Sequence, residues 1–226
     1  MISENLTQTN SLFKGCISLK SINLAFQNKV SLTNMDSMFA GCSSLESIDF
    51  SHIDTSSIIN MDFLFSGCSS IELLNLSEIQ TSSVKNMSYM FEGCSSIKNI
   101  ILTNWDTSNV VDMNSMFSGC SSLEEINISH FNTTVLTNMS KMFYDCQTLK
   151  SINLSSFDTS SVKYMDQLFY NCSTLEILLI KNFDLINLKS FDDIVLYIDF
   201  MNIKNVNKTI WEYLEKKKYF LFAKSK

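Results

Sequence analysis

Cysteine occurs at positions 16, 42, 68, 94, 120, 146 and 172, and every gap is 26 residues. Nothing else in the chain constrains its fold as tightly, because a fixed period of roughly 20–50 residues marks a protein built from stacked copies of one unit. Phe13, Phe39, Phe65, Phe91, Phe117, Phe143 and Phe169 keep the same period three residues ahead of each cysteine. Leu19, Leu45, Ile71, Ile97, Leu123, Leu149 and Leu175 keep it three residues behind. The unit reads approximately N-M-x-x-M-F-x-G-C-S-S-L-x-x-I-x-L-S-x-F-D-T-S-x-V. Seven copies run from Ser11 to Phe183. An eroded eighth follows, with Leu188, Phe191, Ile194 and Val195 in the Val, Met, Met and Phe columns and Ile198 in place of the cysteine.

Each part of the unit has a local reading. The stretch L-x-x-I-x-L alternates apolar and polar residues at its end, which suits a short strand with one buried face. In N-M-x-x-M-F, Met35, Met38 and Phe39 stand at i, i+3 and i+4 and share one face of one or two helical turns. Asn34, Asn60, Asn86, Asp112 and Asn138 stand where a helix N-cap would accept free backbone N–H groups, with Tyr164 as the exception. All five glycines directly precede a cysteine, and Asp145 and Asn171 fill that place in the last two copies. Gly, Asn and Asp best tolerate a left-handed backbone, so each turn is expected to end on a residue of positive φ.

One copy buries too little apolar surface to offset the ordering of its own backbone. Stacking covers the faces that a single copy leaves wet and pairs its strand edges, at a rise of about 5 Å per rung. The expected fold is an α/β repeat solenoid with short parallel strands and one- to two-turn helices in every 26-residue repeat. The expected organisation is a polar N-terminal segment over 1–10, the solenoid over 11–206, and a C-terminal cap with a basic tail over 207–226. In that ending, Trp211, Tyr213, Leu214, Tyr219, Phe220 and Phe222 would cover the last rung. The same aromatics with Lys216, Lys217 and Lys218 offer the alternative of contact with a membrane surface.

The columns also bear on chemistry. Cys42, Cys68, Cys94, Cys120, Cys146 and Cys172 lie between inward Phe and Leu columns, so they read as an internal structural ladder of small apolar side chains. Seven is an odd number, no C-x-x-C or Cys–His spacing occurs, and neither a disulfide framework nor a zinc site is expected. His52 and His130 are three whole repeats apart, about 15 Å by strand spacing, and cannot act as a pair. Asp54, Asp106, Asp158 and Asp184 share a column that Gln80 and Asn132 interrupt; calcium would need several oxygens per ion there, and D-T-S reads instead as a hydrogen-bonded turn. No catalytic residues, metal or cofactor are expected. Residues 1–198 carry ten lysines against twenty acids, and 199–226 carry seven against three. An acidic body argues against nucleic acid. No run of 18 apolar residues exists to span a membrane. The opening "MISENLTQTN" lacks the apolar core of a signal peptide, which keeps a cytoplasmic location as an alternative.

A partner would meet the outward strand columns. One reads Ser21, Ser47, Leu73, Asn99, Glu125, Ser151, Ile177, and the next reads Asn23, Asp49, Asn75, Ile101, Asn127, Asn153, Leu179. Leu73, Ile101, Ile177 and Leu179 are apolar among polar neighbours and are candidate anchors for a protein partner, together with Glu125.

"MFSGCSSLEEINISHFNTT" and "NWDTSNVVDMNSMFSGCSSL" resemble the 26-residue repeats of BspA-like leucine-rich-repeat surface proteins, over residues 11–183. The resemblance implies a leucine-rich-repeat right-handed coil displayed at a cell surface or outside the cell. It also implies adhesion to host matrix or other cell-surface proteins, and it carries over no catalytic residue. The alternatives are an intracellular interaction scaffold using the same face, to which unpaired cysteines are suited, and a fragment of a larger surface protein.

Overall fold

In the computed structural model, which describes residues 8–24, 30–51, 53–190 and 192–194, the chain winds as a solenoid of stacked 26-residue rungs. The expected cap and basic tail over 207–226, His52, and Phe191, Val195 and Ile198 of the eighth copy lie outside the described residues.

One side of the solenoid is made of very short strands. They are β1 (Ser21–Asn23), β2 (Val30–Ser31), β3 (Ser47–Asp49), β4 (Ile53–Asp54), β5 (Leu73–Asn75), β6 (Asn99–Ile101), β7 (Ser151–Asn153) and β8 (Ile177–Leu179). All pair in parallel, as β1–β3, β2–β4, β5–β6 and β7–β8. The register follows the sequence period: Ser21 faces Ser47, Leu73 faces Asn99, and Ser151 faces Ile177. The pair β2–β4 departs from it, with Val30 opposite Ile53. The middle residue of each three-residue strand points inward. Leu74, Ile100, Ile152 and Leu178 are buried, and Ile22 and Ile48 pack partly buried against the core.

The other side corrects one expectation. No helix forms among the described residues; N-M-x-x-M-F folds instead as consecutive tight turns. The N–H groups of Met38, Ala40 and Cys42 donate to the carbonyls of Met35, Ser37 and Phe39, each three residues back. The intervening N–H groups of Met35, Ser37, Phe39 and Gly41 leave the rung and donate to Asn60, Asp62, Leu64 and Ser66 of the next. The same four forward bonds recur from rung to rung, for example from Met113, Ser115, Phe117 and Gly119 to Asn138, Ser140, Met142 and Tyr144. The spacing of the rungs explains why. Packed helices need axes about 8–10 Å apart, whereas the stacked phenylalanines of successive rungs here are 5.4–5.8 Å apart. Stacked turns deliver Met35, Met38 and Phe39 to the core just as a helix would, and all three are buried.

The asparagine column keeps its capping chemistry on this different backbone. Asn34, Asn60, Asn86, Asp112 and Asn138 each accept, through Oδ1, the N–H two residues on, at 2.8–3.1 Å. These are Asx turns. Tyr164 has no such oxygen, and the N–H of Asp166 goes to Ser140 Oγ of the preceding rung at 3.2 Å.

The core is a set of ladders. The phenylalanine rings from Phe13 to Phe169 stack with interplanar angles of 4–13°. A second stack joins Trp105, Phe131 and Phe157. Buried Thr81, Thr107, Thr133 and Thr159 donate Oγ1–H to a carbonyl of the next rung, each at 2.9 Å. The D-T-S stretch closes as a turn: Asp54, Asp106 and Asp158 accept the N–H of Ser56, Ser108 and Ser160. Gln8 and Thr9 already belong to the first rung, Gln8 lying opposite Asn34 and Thr9 donating to its carbonyl.

Candidate functional site

The parallel ladder of the strand side is interrupted twice, and a groove opens at each interruption. The first lies between β3 and β5, which share no sheet; a hollow of about 210 Å³ opens there between Ile48–Phe50 and Asn75–Ile79. The second is larger. Residues 125–127 of the fifth copy form no strand, so β6 and β7 stand without a paired strand between them. The groove there has a volume of about 460 Å³, with Asn99 and Ile101 of β6 on one wall and Ser151 and Asn153 of β7 on the other. Glu125, Ile126 and Asn127 lie between the walls.

An exposed column of charge runs beside the strands. Lys20, Glu46, Glu72, Lys98, Glu124, Lys150 and Glu176 follow one another at the period. Lys20–Glu46, Glu72–Lys98 and Glu124–Lys150 pair at 3.6, 2.7 and 2.6 Å. The Lys98 ammonium holds the Glu72 carboxyl below its ordinary range, and Lys150 does the same to Glu124. The steps from Glu46 to Glu72, Lys98 to Glu124 and Lys150 to Glu176 carry no ion pair; the first two fall at the interruptions and the third at the intact β7–β8 pairing. Exposed ion pairs contribute little, about 0–1 kcal/mol each, so the column does not enforce the grouping of rungs.

The five residues that the sequence nominates all lie on this strand face. Ile101 and Glu125 line the larger groove. Leu73 faces Asn99 across β5–β6, while Ile177 and Leu179 face Ser151 and Asn153 across β7–β8, so these three lie on its shoulders. Leu73 is 57% exposed and Ile177 42%. Ile101 and Leu179 are half-buried, one residue before the buried Leu102 and Ile180. His130 also lines the groove; its Nε2 lies 3.0 Å from the Leu102 carbonyl oxygen, and its ring stands edge-on to Phe131.

The cysteine ladder stands in the core, away from this face. The thiols of Cys42, Cys68, Cys94, Cys120, Cys146 and Cys172 are free and buried, and each donates to a phenylalanine carbonyl of the preceding rung at 3.0–3.2 Å. Burial pushes Cys94 and Cys172 up to about 12 and raises the other four. A thiol held protonated and out of contact with solvent is neither a nucleophile nor a ligand. Cys16, in the first rung, is exposed. Among the described residues no three His, Cys, Asp or Glu side chains lie close enough together to hold a metal ion.

One polar atom of the turn side is orphaned. Asp62 Oδ2 accepts from Asn86 Nδ2 at 2.6 Å, but buried Oδ1 has no partner. Burial above all, then the charges of Asp36 and Asp112, lifts this carboxyl from 3.8 to about 6. The folded protein therefore takes up the proton more readily than the unfolded chain. The contribution of Asp62 to stability is fully present below pH 3.8 and is lost as pH rises through about 6. Asp62→Asn, which places the amide that Asn114 already carries in this column, is expected to stabilise the protein at pH 7. The gain is about 1 kcal/mol, well under the full worth of the shift because the carboxyl is half accessible to water. Urea denaturation at pH 7 and pH 4 checks it: the advantage should vanish at the lower pH, and an equal advantage at both would refute the assignment.

The geometry can be set beside known proteins. A likeness of 21% identity and TM-score 0.40 extends over 81% of this chain to a chain of the TLR13–ssRNA13 complex, of whose length it spans 30%. A leucine-rich repeat protein from Bacteroides ovatus ATCC 8483 is 13% identical at TM-score 0.19, over 88% of this chain and 86% of that one. Likenesses this slight carry no argument about the site. No curated protein matches the chain. The family model described as "Mycoplasma protein of unknown function, DUF285" matches residues 7–101 and again 96–213. The two matches take in nearly the whole repeat array, and the chain belongs to the DUF285 family.

Proposed function

We propose that the chain is a non-enzymatic interaction module that binds a protein partner on its outer strand face, and that it serves adhesion at a cell surface. The observation that carries the binding reading is the pair of exposed apolar side chains, Leu73 and Ile177, on a polar face at either side of a groove. Apolar anchors beside a concave surface are where binding energy concentrates in protein interfaces. The non-enzymatic part of the reading is supported by the buried thiols and by a groove whose imidazole, His130, is occupied by a backbone carbonyl. The adhesive and surface part leans on the resemblance of the repeats to BspA-like proteins. An intracellular scaffold would use the same face, and seven free thiols suit a reducing compartment.

Protease treatment of intact source cells separates the two. Peptides of this chain released before lysis support the surface role, and peptides released only after lysis support the scaffold. Whole-cell or lysate fractions that retain the wild-type chain should retain Ile101→Asp at least about fivefold more weakly, the effect of losing a contact of moderate worth. Because Ile101 is half-buried, Leu73→Asp is the companion variant, and both should keep the wild-type melting temperature within a few degrees. Undiminished retention of both variants would rule out the strand face.

A further inference from the structure

We propose that the groove between β6 and β7, with its two shoulders, docks an extended protein segment centred on a lysine or arginine with an apolar residue on each side. This rests on the interaction reading above and adds the chemistry of the occupant.

The cationic centre follows from Glu125. It is exposed, it lines the groove, and no lysine lines the groove with it. The lysines of the neighbouring charge column are engaged elsewhere, Lys98 with Glu72 at 2.7 Å and Lys150 with Glu124 at 2.6 Å. Glu125 itself makes no ion pair among the described residues. A basic side chain entering the groove meets this carboxylate, whereas an acidic one meets repulsion. The excess of acids over lysines across residues 1–198 steers in the same direction.

The apolar flanks follow from the register. Leu73, Asn99, Glu125, Ser151 and Ile177 form one outward column, so the two exposed apolar residues stand two rungs on either side of Glu125. At the ring-ladder rise of 5.4–5.8 Å per rung, each lies about 11 Å from it, a distance that an extended chain covers in three to four residues. Main-chain contacts are available in between. The backbone N–H and C=O groups of Glu125, Ile126 and Asn127 pair with no other backbone group among the described residues. The groove thus offers peptide groups, a carboxylate and two apolar shoulders to a segment about seven residues long.

The test is selection of a displayed library of random linear 12-residue peptides on the full chain, repeated on Glu125→Lys and Leu73→Asp. The expected outcome is enrichment of peptides with Lys or Arg three to four residues from an apolar residue on each side. Glu125→Lys should weaken these peptides by more than about tenfold and select Asp or Glu at the centre instead. Peptides that lack a basic centre but are lost with Leu73→Asp overturn the proposal and leave the strand-face reading standing. Peptides indifferent to both variants overturn both. The absence of any enrichment overturns the proposal, and retention of protein partners by the strand face then still decides the broader reading.

Discussion

Phe117→Ala is expected to lower the stability of the solenoid by about 3–5 kcal/mol. Its ring is fully buried and stacked on both sides, 5.4 Å from Phe91 and 5.5 Å from Phe143. Truncation removes both contacts and leaves a hole that flat neighbours, held in their own stacks, cannot close. Phe13→Ala removes a partly buried ring stacked on Phe39 in the first rung, and it should cost less than half as much. Because each rung touches only its neighbours, a break at the middle also uncouples the two halves. Urea titration of Phe117→Ala in a Trp211→Phe background, followed by circular dichroism and by Trp105 fluorescence, should therefore give non-coincident transitions. Equal costs for the two variants would mean that the ring ladder is not the principal source of cohesion.

Gly119→Val should cost about 2–4 kcal/mol, while Gly119→Asn costs less than about 1. Gly119 has φ of +72°, and a Cβ built there would lie 3.4 Å from both Cα and N of Gly93 in the rung before. Valine adds a branched side chain to a left-handed backbone and forces that approach. Asparagine pays only the approach, since Asp145 and Asn171 hold φ of 61° and 57° in the same column. Thermal midpoints of the two variants decide the matter. If valine proves no worse than asparagine, backbone handedness does not govern this position.

Much of the architecture was legible because the repeats align with one another. The column of five glycines with Asp145 and Asn171 announced its positive φ, and the structure has it at all seven places. A second such column, Ser11, Ser37, Phe63, Tyr89, Ser115, Lys141, Gln167 and Asp193, with φ of 52–58°, left no trace in composition. Those residues tolerate the conformation because forward bonds lock it, for instance from Ser37 to Asp62 at 2.8 Å and from Lys141 to Asp166 at 2.8 Å. Helix and stacked turns were equally compatible with the spacing of Met35, Met38 and Phe39; only the rise per rung separates them. The nominated anchors were readable as odd apolar members of polar columns, but the groove was not. It arises from the failure of 125–127 to join its neighbours. The juxtaposed Glu46 and Glu72, like charges on successive rungs at the smaller groove, were the one available hint that the strand side does not pair evenly.

The forward hydrogen bonds of the turn side have an electrical consequence. From Thr9, Ser11, Phe13 and Gly15 onward to Phe169, every one of these N–H groups points toward the following rung, and every accepting carbonyl points back. Each peptide unit carries a dipole of about 3.5 D, so four parallel dipoles per interface add along the solenoid axis, opposed by one reversed bond such as Ile59 to Thr33 or Lys85 to Ile59. On the strand side they largely cancel, since Leu76 donates forward to Ile101 while Lys98 donates backward to Glu72. The sum over the described rungs is a macrodipole that is negative toward Thr9 and positive toward Ile194. That polarity is the reverse of an α-helix, whose positive pole is its N-terminus. Among the described rungs, the backbone alone therefore favours negative charge toward Ile194 and positive charge toward Thr9.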